Sequence, residues 1–408
     1  MREMKDSGIP WIGEIPKDWT IELIGNQVKE VNNPNTDGLE DNALQFKMGT
    51  IISKSRGDSK YNPETLEGYN IVDKGVIMLN GLNLSFDLIS QRVGLVRERG
   101  VITSTYLAVK PTKNIDSEYL TYLFKAYDNC KAFHSMGRGL RQTLSYGELR
   151  KYLLLYPSLA EQQKIAEFLD RKCAEVDEMI GLQEQIIEEL KAYKQSVITE
   201  AVTKGLNPAA PMRDSGIEWI GQIPEHWRIA TIGRLFNIYA GGDAKWEFYS
   251  DTCDTEHPYP VYTNTLDRHQ TYAYTSKPMF NGDTITVTGR GDIGHAFYRR
   301  EPFDAIIRLL VLDKKYNLDC RYFAYFIEDV IHFFTNSAAI GQLSAVQVTP
   351  YAICHPTLAE QQAIADYLDE KCADIDSLIQ TKLSKIDSLK EYKKSIIYEY
   401  VTGKREVE

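Results

Sequence analysis

From Leu159 to Thr203 the chain carries no proline and a single glycine, Gly181. Apolar residues recur there at alternating steps of four and three: Leu169, Cys173, Val176, Ile180, Ile187, Leu190, Val197 and Ala201, interrupted only by Gln183 and Lys194. The pattern returns at Leu368, Cys372, Ile375, Ile379, Ile386, Leu389, Ile396 and Tyr400, with Lys382 and Lys393 at the matching interruptions. A 3.5-residue repeat held this long is the signature of helices that pack along a coiled-coil seam. Each helix takes about 45 residues and extends roughly 65 Å. Two such rods constrain everything else: the remaining chain must fold around them. The polar interruptions either select one alignment of the seam or lay their stems along it with their heads in water.

The helices belong to a wider duplication. PSLAEQQKIAEFLDRKCAEVDE starts at Pro157 and PTLAEQQAIADYLDEKCADIDS at Pro356, an offset of 199 residues. DSGIPWIGEIPKDW starts at Asp6 and DSGIEWIGQIPEHW at Asp214, an offset of 208. Between these blocks, Thr20 to Tyr156 and Arg228 to His355 differ almost completely. The expected division is a repeated N-terminal segment (1–19), a first variable domain (20–156), a first long helix (157–205), a linker with the second repeated segment (206–227), a second variable domain (228–355) and a second long helix (356–408). A frame repeated around two unlike inserts suits a protein that reads two different things at a set distance. The second insert separates the end of one helix from the start of the next. A compact domain of about 130 residues has a radius of gyration near 14 Å, so parallel helices would also require it to bridge their full length. Antiparallel packing is expected instead, giving a dumbbell with pseudo-twofold symmetry and one insert at each end.

Strand-like runs in the inserts include GVIMLNG, RVGLV and STYLAVKP in the first and DTITVTG, GHAFYRR and IRLLVLD in the second. Each set is followed by an aromatic helical stretch, SEYLTYLFKAYDNCKAF or DCRYFAYFIEDVIHFF, in which Tyr119 matches Tyr322 and Tyr122 matches Tyr325. A polar loop and then QTLS (from Gln142) or QLS (from Gln342) lead into the long helices. The fold class expected is mixed α/β (α+β) domains joined by a long antiparallel two-helix coiled coil.

Hydrophobic content of 43% with 25% charged residues indicates globular folding. No run approaches the roughly 20 apolar residues of a membrane span, and MREMKDSGIPWIG lacks the apolar stretch of a secretion signal, so a cytoplasmic protein is expected. Six cysteines form no C-x-x-C pair, and neither Cys253 with His257 nor Cys354 with His355 brings the second pair that structural zinc requires. No metal site is expected. The net charge of −10 argues against nucleic acid until it is divided: residues 21–156 hold 17 Lys+Arg against 15 Asp+Glu, residues 158–205 hold 6 against 10, and residues 228–355 hold 12 against 14. Acid gathers on the first long helix, and any phosphate contact must come from local clusters.

GRGDIG, from Gly289 to Gly294, matches the dinucleotide fingerprint, but a strand-like run follows where a helix N-terminus should meet the pyrophosphate. A tight turn presenting Arg290 is the expected reading. The phosphate-cradling P-loop, the G-x-S-x-G elbow, the H-E-x-x-H helix and the Asn/Asp-Pro-Pro-aromatic methyltransferase motif are all absent. No catalytic residue is expected. The chemistry that remains is DNA contact by polar loops: Lys54, Arg56 and Lys60; Arg138, Arg141 and Gln142; Asn264, Arg268 and His269; and Arg290, Arg299 and Arg300. Trp11, Trp19, Trp219 and Trp227 fall in the repeated segment, where packing against helix ends explains their sameness better than base stacking does.

DSGI-x-WIG-x-IP-x-x-W, then a variable domain, then L-A-E-Q-Q on a long helix, with the whole order repeated, resembles the specificity subunit of type I restriction-modification systems across essentially the entire chain. The resemblance implies two target recognition domains, each reading half of a bipartite double-stranded DNA sequence, and a helical spacer that sets the gap. It implies two modification subunits as partners, which carry S-adenosylmethionine, and restriction subunits that use ATP and magnesium. The chain itself would hold no cofactor and supply address rather than catalysis. The rival readings are a DNA-independent coiled-coil scaffold, a stand-alone enzyme, and the recognition subunit of a related system whose methylase and nuclease share one polypeptide.

Overall fold

The computed structural model describes residues 2–54, 66–84, 91–136, 142–333 and 342–407, apart from the side chains of 135 and 136. The chain divides into two compact units, Met1–Glu184 with Leu383–Glu408 and Gln185–Lys382. Each unit holds one variable domain and a portion of both long helices. The division between the units falls within both long helices.

In the first unit a four-stranded antiparallel sheet is built from β1 (Val28–Glu30), β2 (Ile77–Leu79), β3 (Val93–Leu95) and β4 (Leu107–Pro111), in the order β1-β4-β2-β3. Strand alternation decides which core each residue enters. Ile77 and Leu79 face one cluster while Met78 between them faces another. The first cluster is closed by α1 (Ser117–Asn129), which starts where the Asp116 side chain accepts the Tyr119 N–H. The long helix α2 runs unbroken from Leu159 to Lys204. In the second unit β5 (Phe236–Ala240), β6 (Thr284–Val287), β7 (Ala296–Arg299) and β8 (Leu310–Lys314) form a sheet in the order β5-β8-β6-β7, the same topology with other residues. It packs against α3 (Cys320–Val330), capped by Asp319, and against the second long helix, α4 (Leu358–Val401).

Within each unit the two helix segments run in opposite directions. In the first, Lys393 Nζ reaches both carboxylate oxygens of Asp177 (2.7 and 2.6 Å), while Phe168, earlier on α2, meets Tyr400, later on α4. In the second, Lys194 Nζ holds Asp376 at 2.8 and 2.7 Å, while Ala201 and Val202, later on α2, share a cluster with Ile364 and Ala365, earlier on α4. The two ion pairs are copies of each other at the repeat offset. The polar seam positions Lys194 and Lys393 thus reach across to the opposing helix. Of the expected seam, Leu169, Val176, Ile187, Leu368, Ile375, Ile386, Leu389 and Ile396 are buried, and Ile180, Leu190, Val197 and Ile379 are half-buried.

The repeated residues tie domain to helix in both units. The Tyr119 hydroxyl donates to the carbonyls of Leu155 (3.3 Å) and Val401 (3.4 Å), and Tyr322 does the same to Cys354 and Val202, both at 2.9 Å. Tyr122 donates to Asp170 and Tyr325 to Asp369. The first glutamine of each L-A-E-Q-Q, Gln162 or Gln361, accepts the N–H of the Asp that caps α1 or α3 and donates to the preceding proline carbonyl. Trp19 and Trp227 are buried over the helix ends, where the left-handed Gly403 (φ +69°) and Gly205 (φ +76°) leave no room for a Cβ without touching the rings. Among the described residues, no helix is long and apolar enough to cross a membrane.

Candidate nucleic-acid interface

In both units the inner strand runs out into a glycine turn that is clasped by the Q(T)LS loop. In the second unit the turn follows β6. The Gly289 carbonyl accepts the Leu343 N–H at 2.9 Å, and Arg290 pairs with Gln342 in an antiparallel bridge. A Cβ on Gly289 would lie 2.7 Å from the Arg308 carbonyl oxygen and 3.0 Å from that of Leu343, so only glycine fits. Asn264 locks the arrangement. Its Oδ1 accepts the N–H of Gly289 (2.7 Å) and of Arg290 (3.2 Å), and its Nδ2 donates to the Ile307 carbonyl at 2.6 Å. Thr288 closes the turn on itself, donating to the Asp292 carbonyl and accepting the His295 N–H. A strand, Ala296–Arg299, follows this turn where a dinucleotide site needs a helix.

In the first unit Gly81 holds the equivalent place after β2. Its carbonyl accepts the Leu144 N–H at 2.9 Å, and a Cβ there would stand 2.6 Å from the Leu144 oxygen. Here a buried cation shapes the loop. Arg92, 2% exposed, donates through Nη1 to the carbonyls of Asn80 (2.9 Å) and Leu82 (2.8 Å) and through Nη2 to Asn83 (3.4 Å). Asp128, itself buried, accepts the Arg92 N–H at 2.8 Å, and burial raises its pKa above the usual carboxylate value. Such a charge is tolerable only when hydrogen-bonded, and here it holds a loop that has no regular structure of its own.

The residues proposed from sequence fall into four groups. Arg290, Arg268, His269 and Arg300 are exposed, and Lys54, Gln142 and Asn264 are half-buried. Arg56, Lys60, Arg138 and Arg141 lie outside the described residues. Arg299 is a correction. At 5% exposure it sits 3.7 Å over the Tyr262 ring, its Nε donates to Thr286 and its Nη1 donates to the Arg268 carbonyl. Burial lowers its pKa, and the guanidinium is committed to holding the 264–270 loop rather than to DNA. Asn264 bonds to backbone through both ends of its amide and so holds the backbone of Arg290 in place. Nor does Arg300 join Arg290. The β6–β7 hairpin pairs Val287 with Ala296 at the turn and Thr284 with Arg299 at the far end, and Arg300 lies beyond that far end.

Residues 95–192 and 224–388, more than half of the chain, match the family model described as the type I restriction modification DNA specificity domain. The chain belongs to this specificity family. Its relatives include the type I restriction enzyme MjaVIII specificity subunit of Methanocaldococcus jannaschii, 23% identical over 96% of this chain and 93% of that one. The StySPI specificity subunit of Salmonella potsdam is 33% identical over 28% of this chain and 24% of its own length. Among solved structures, a chain from a study of complex assembly and conformational transition in a type I R-M system aligns with a TM-score of 0.73 at 14% identity, covering 96% of this chain and 99% of its own. The HsdS subunit of Thermoanaerobacter tengcongensis aligns at 0.52, also at 14% identity, covering 96% and 98%. At that identity the likeness concerns the fold.

For a specificity subunit, the notable residues that sequence reading missed are Ile307 and Arg308, which sit against the Gly289 turn, and Trp246, 62% exposed beside Tyr249 and Tyr272. IRLLVLD reads as one strand, yet β8 begins only at Leu310. No glycine, asparagine or aspartate marks the bend at 307–308, so no turn signal was there to find.

Proposed function

We propose that each variable domain reads one half of a bipartite, asymmetric duplex target, that the two long helices set the gap between the halves, and that the repeated frame docks two modification subunits. The observation that carries the reading is the matched clasp of the glycine turn and Q(T)LS loop in both units, built on one topology and one set of helix ties but bearing unlike side chains. A surface kept in shape and varied in chemistry is what two readers of different sequences require. Arginine, glutamine and histidine near such turns suit base edges and phosphates. In this proposal S-adenosylmethionine sits on the modification subunits, and ATP and magnesium on restriction subunits where these are present. The test is methylome sequencing of cells that express the chain with its modification partner. A single bipartite motif with two unlike halves is the expected result; methylation without a motif, or a motif read as one contiguous block, overturns the proposal.

A further inference from the structure

The segment Ile306 to Leu309 makes a turn closed by the Leu309 N–H on the Ile306 carbonyl at 3.1 Å, with φ of +53° at Ile307 and +62° at Arg308. Two successive positive φ values define a type I′ turn, a conformation that glycine, asparagine and aspartate adopt easily and that a β-branched residue resists. The surroundings enforce it. The Ile307 N–H donates to Gly242 O (2.9 Å), the Arg308 N–H to Gly241 O (3.2 Å), and the Ile307 carbonyl accepts from Asn264. Ile306 and Leu309, each 1% exposed, anchor the turn in separate apolar clusters, whereas Ile307 stands 42% exposed and Arg308 is exposed beside it. Asn-Gly in the middle would close the same turn without strain. Isoleucine and arginine are costly choices there unless the side chains themselves are used, and strain that a fold over-determines is a pointer to function.

The place supports this. The backbones of Gly289 and Arg308 are in close contact, and Arg290 next to Gly289 pairs with Gln342, so Arg290, Ile307, Arg308 and Gln342 leave the backbone at one spot, and all four are exposed. Among the described residues Arg308 makes no ion pair. A guanidinium fork suits the O6 and N7 of guanine, and an apolar tip suits a thymine methyl group. We infer that the Ile307–Arg308 turn is a base-reading element of the second recognition domain, with Arg308 reading a guanine edge and Ile307 making the adjoining apolar contact. This rests on the proposal that the domain reads duplex DNA.

The test uses the complex of the full chain with its modification subunits, carrying Arg308→Ala, Arg308→Lys, Ile307→Gly or Ile307→Asn, with methylomes, duplex affinity over a salt series and melting temperature read for each. Arg308→Ala should relax one position of one half-site, with discrimination there falling by roughly 10- to 100-fold. Arg308→Lys should keep the salt slope and lose the same discrimination. Ile307→Gly and Ile307→Asn should raise the melting temperature while relaxing a neighbouring position, a combination that a purely structural turn would not give. The inference is overturned if all four variants keep the wild-type motif and its discrimination, or if the Ile307 variants melt lower and lose methylation altogether. A wild-type complex that methylates no bipartite motif fails earlier, at the reading on which this inference stands.

Discussion

Asn264 and Asp329 show how single side chains set limits on the second unit. Asn264 is a clamp with three hydrogen bonds, two accepted and one donated. Its replacement by alanine strands the N–H groups of Gly289 and Arg290 and the Ile307 carbonyl. These groups are part-buried to exposed, so water can replace some of the lost bonds, and the cost falls toward or below the low end of the roughly 1–3 kcal/mol of a buried group. Asn264→Ala should therefore lower the melting temperature modestly in denaturation experiments and weaken duplex binding. Asn264→Asp keeps both acceptor bonds but sets a carboxylate against the Ile307 carbonyl, and it should fail as a substitute. Asp329 on α3 is pushed up to about 7 by burial and then by Glu328 beside it, with Lys194 pulling the other way. In the unfolded chain its pKa returns to the ordinary aspartate value near 3.8. A carboxyl that resists ionisation only when folded withdraws stability as pH climbs from about 4 to about 7, and the loss is constant above that. Asp329→Asn should therefore stabilise the protein most at pH 8 and scarcely at pH 4. Melting curves across that range test it, and a benefit that is equal at both ends would show that ionisation is not what burial opposes.

The elements divide sharply into those written in the sequence and those written only in space. The long helices were legible because a 3.5-residue period over dozens of residues has few alternatives, and the tyrosines and glutamines were legible because duplication kept them. The Lys194–Asp376 and Lys393–Asp177 bridges turn the open choice at the polar seam positions into a geometric fact, although half-exposed pairs of this kind contribute only about 0.2–1 kcal/mol each. A double-mutant cycle on either pair should return a coupling in that range, and exchanging the charges, Lys393→Asp with Asp177→Lys, should recover most of what Lys393→Asp alone loses. No coupling in either cycle would assign both lysines to solvent. What could not be read lies off the helices. Arg299 and Arg300 are neighbours of one residue type, yet pleating buries one and exposes the other. Arg92 reads as the charged first residue of the strand-like run RVGLV, but it is sealed beneath a loop as its hydrogen-bond donor. The Ile307–Arg308 turn is set by contacts from Gly241, Gly242, Asn264 and Gly289, four residues scattered along the chain, and an apolar run with no turn residue conceals it completely.

At the scale of the whole molecule, duplication makes two separable demands, and each has its own experiment. If reading is confined to the variable domains, exchanging residues 20–156 for the domain of another family member should change one half of the methylated motif and leave the other intact. A change in both halves would mean that the domains share their target. If the helices set the gap, their length must be copied into the DNA. Seven residues inserted at matched points of α2 and α4 preserve the heptad phase, so the seam should still form. They add roughly 10 Å to each helix. That corresponds to about 3 base pairs at 3.4 Å each, close to a third of a helical turn, which would also rotate one half-site around the duplex relative to the other. The lengthened protein should therefore methylate a motif with a longer spacer or lose binding to its original one, with both half-site sequences unchanged. Full methylation of the original motif at its original spacing would show that the gap is set elsewhere than in the length of the helices.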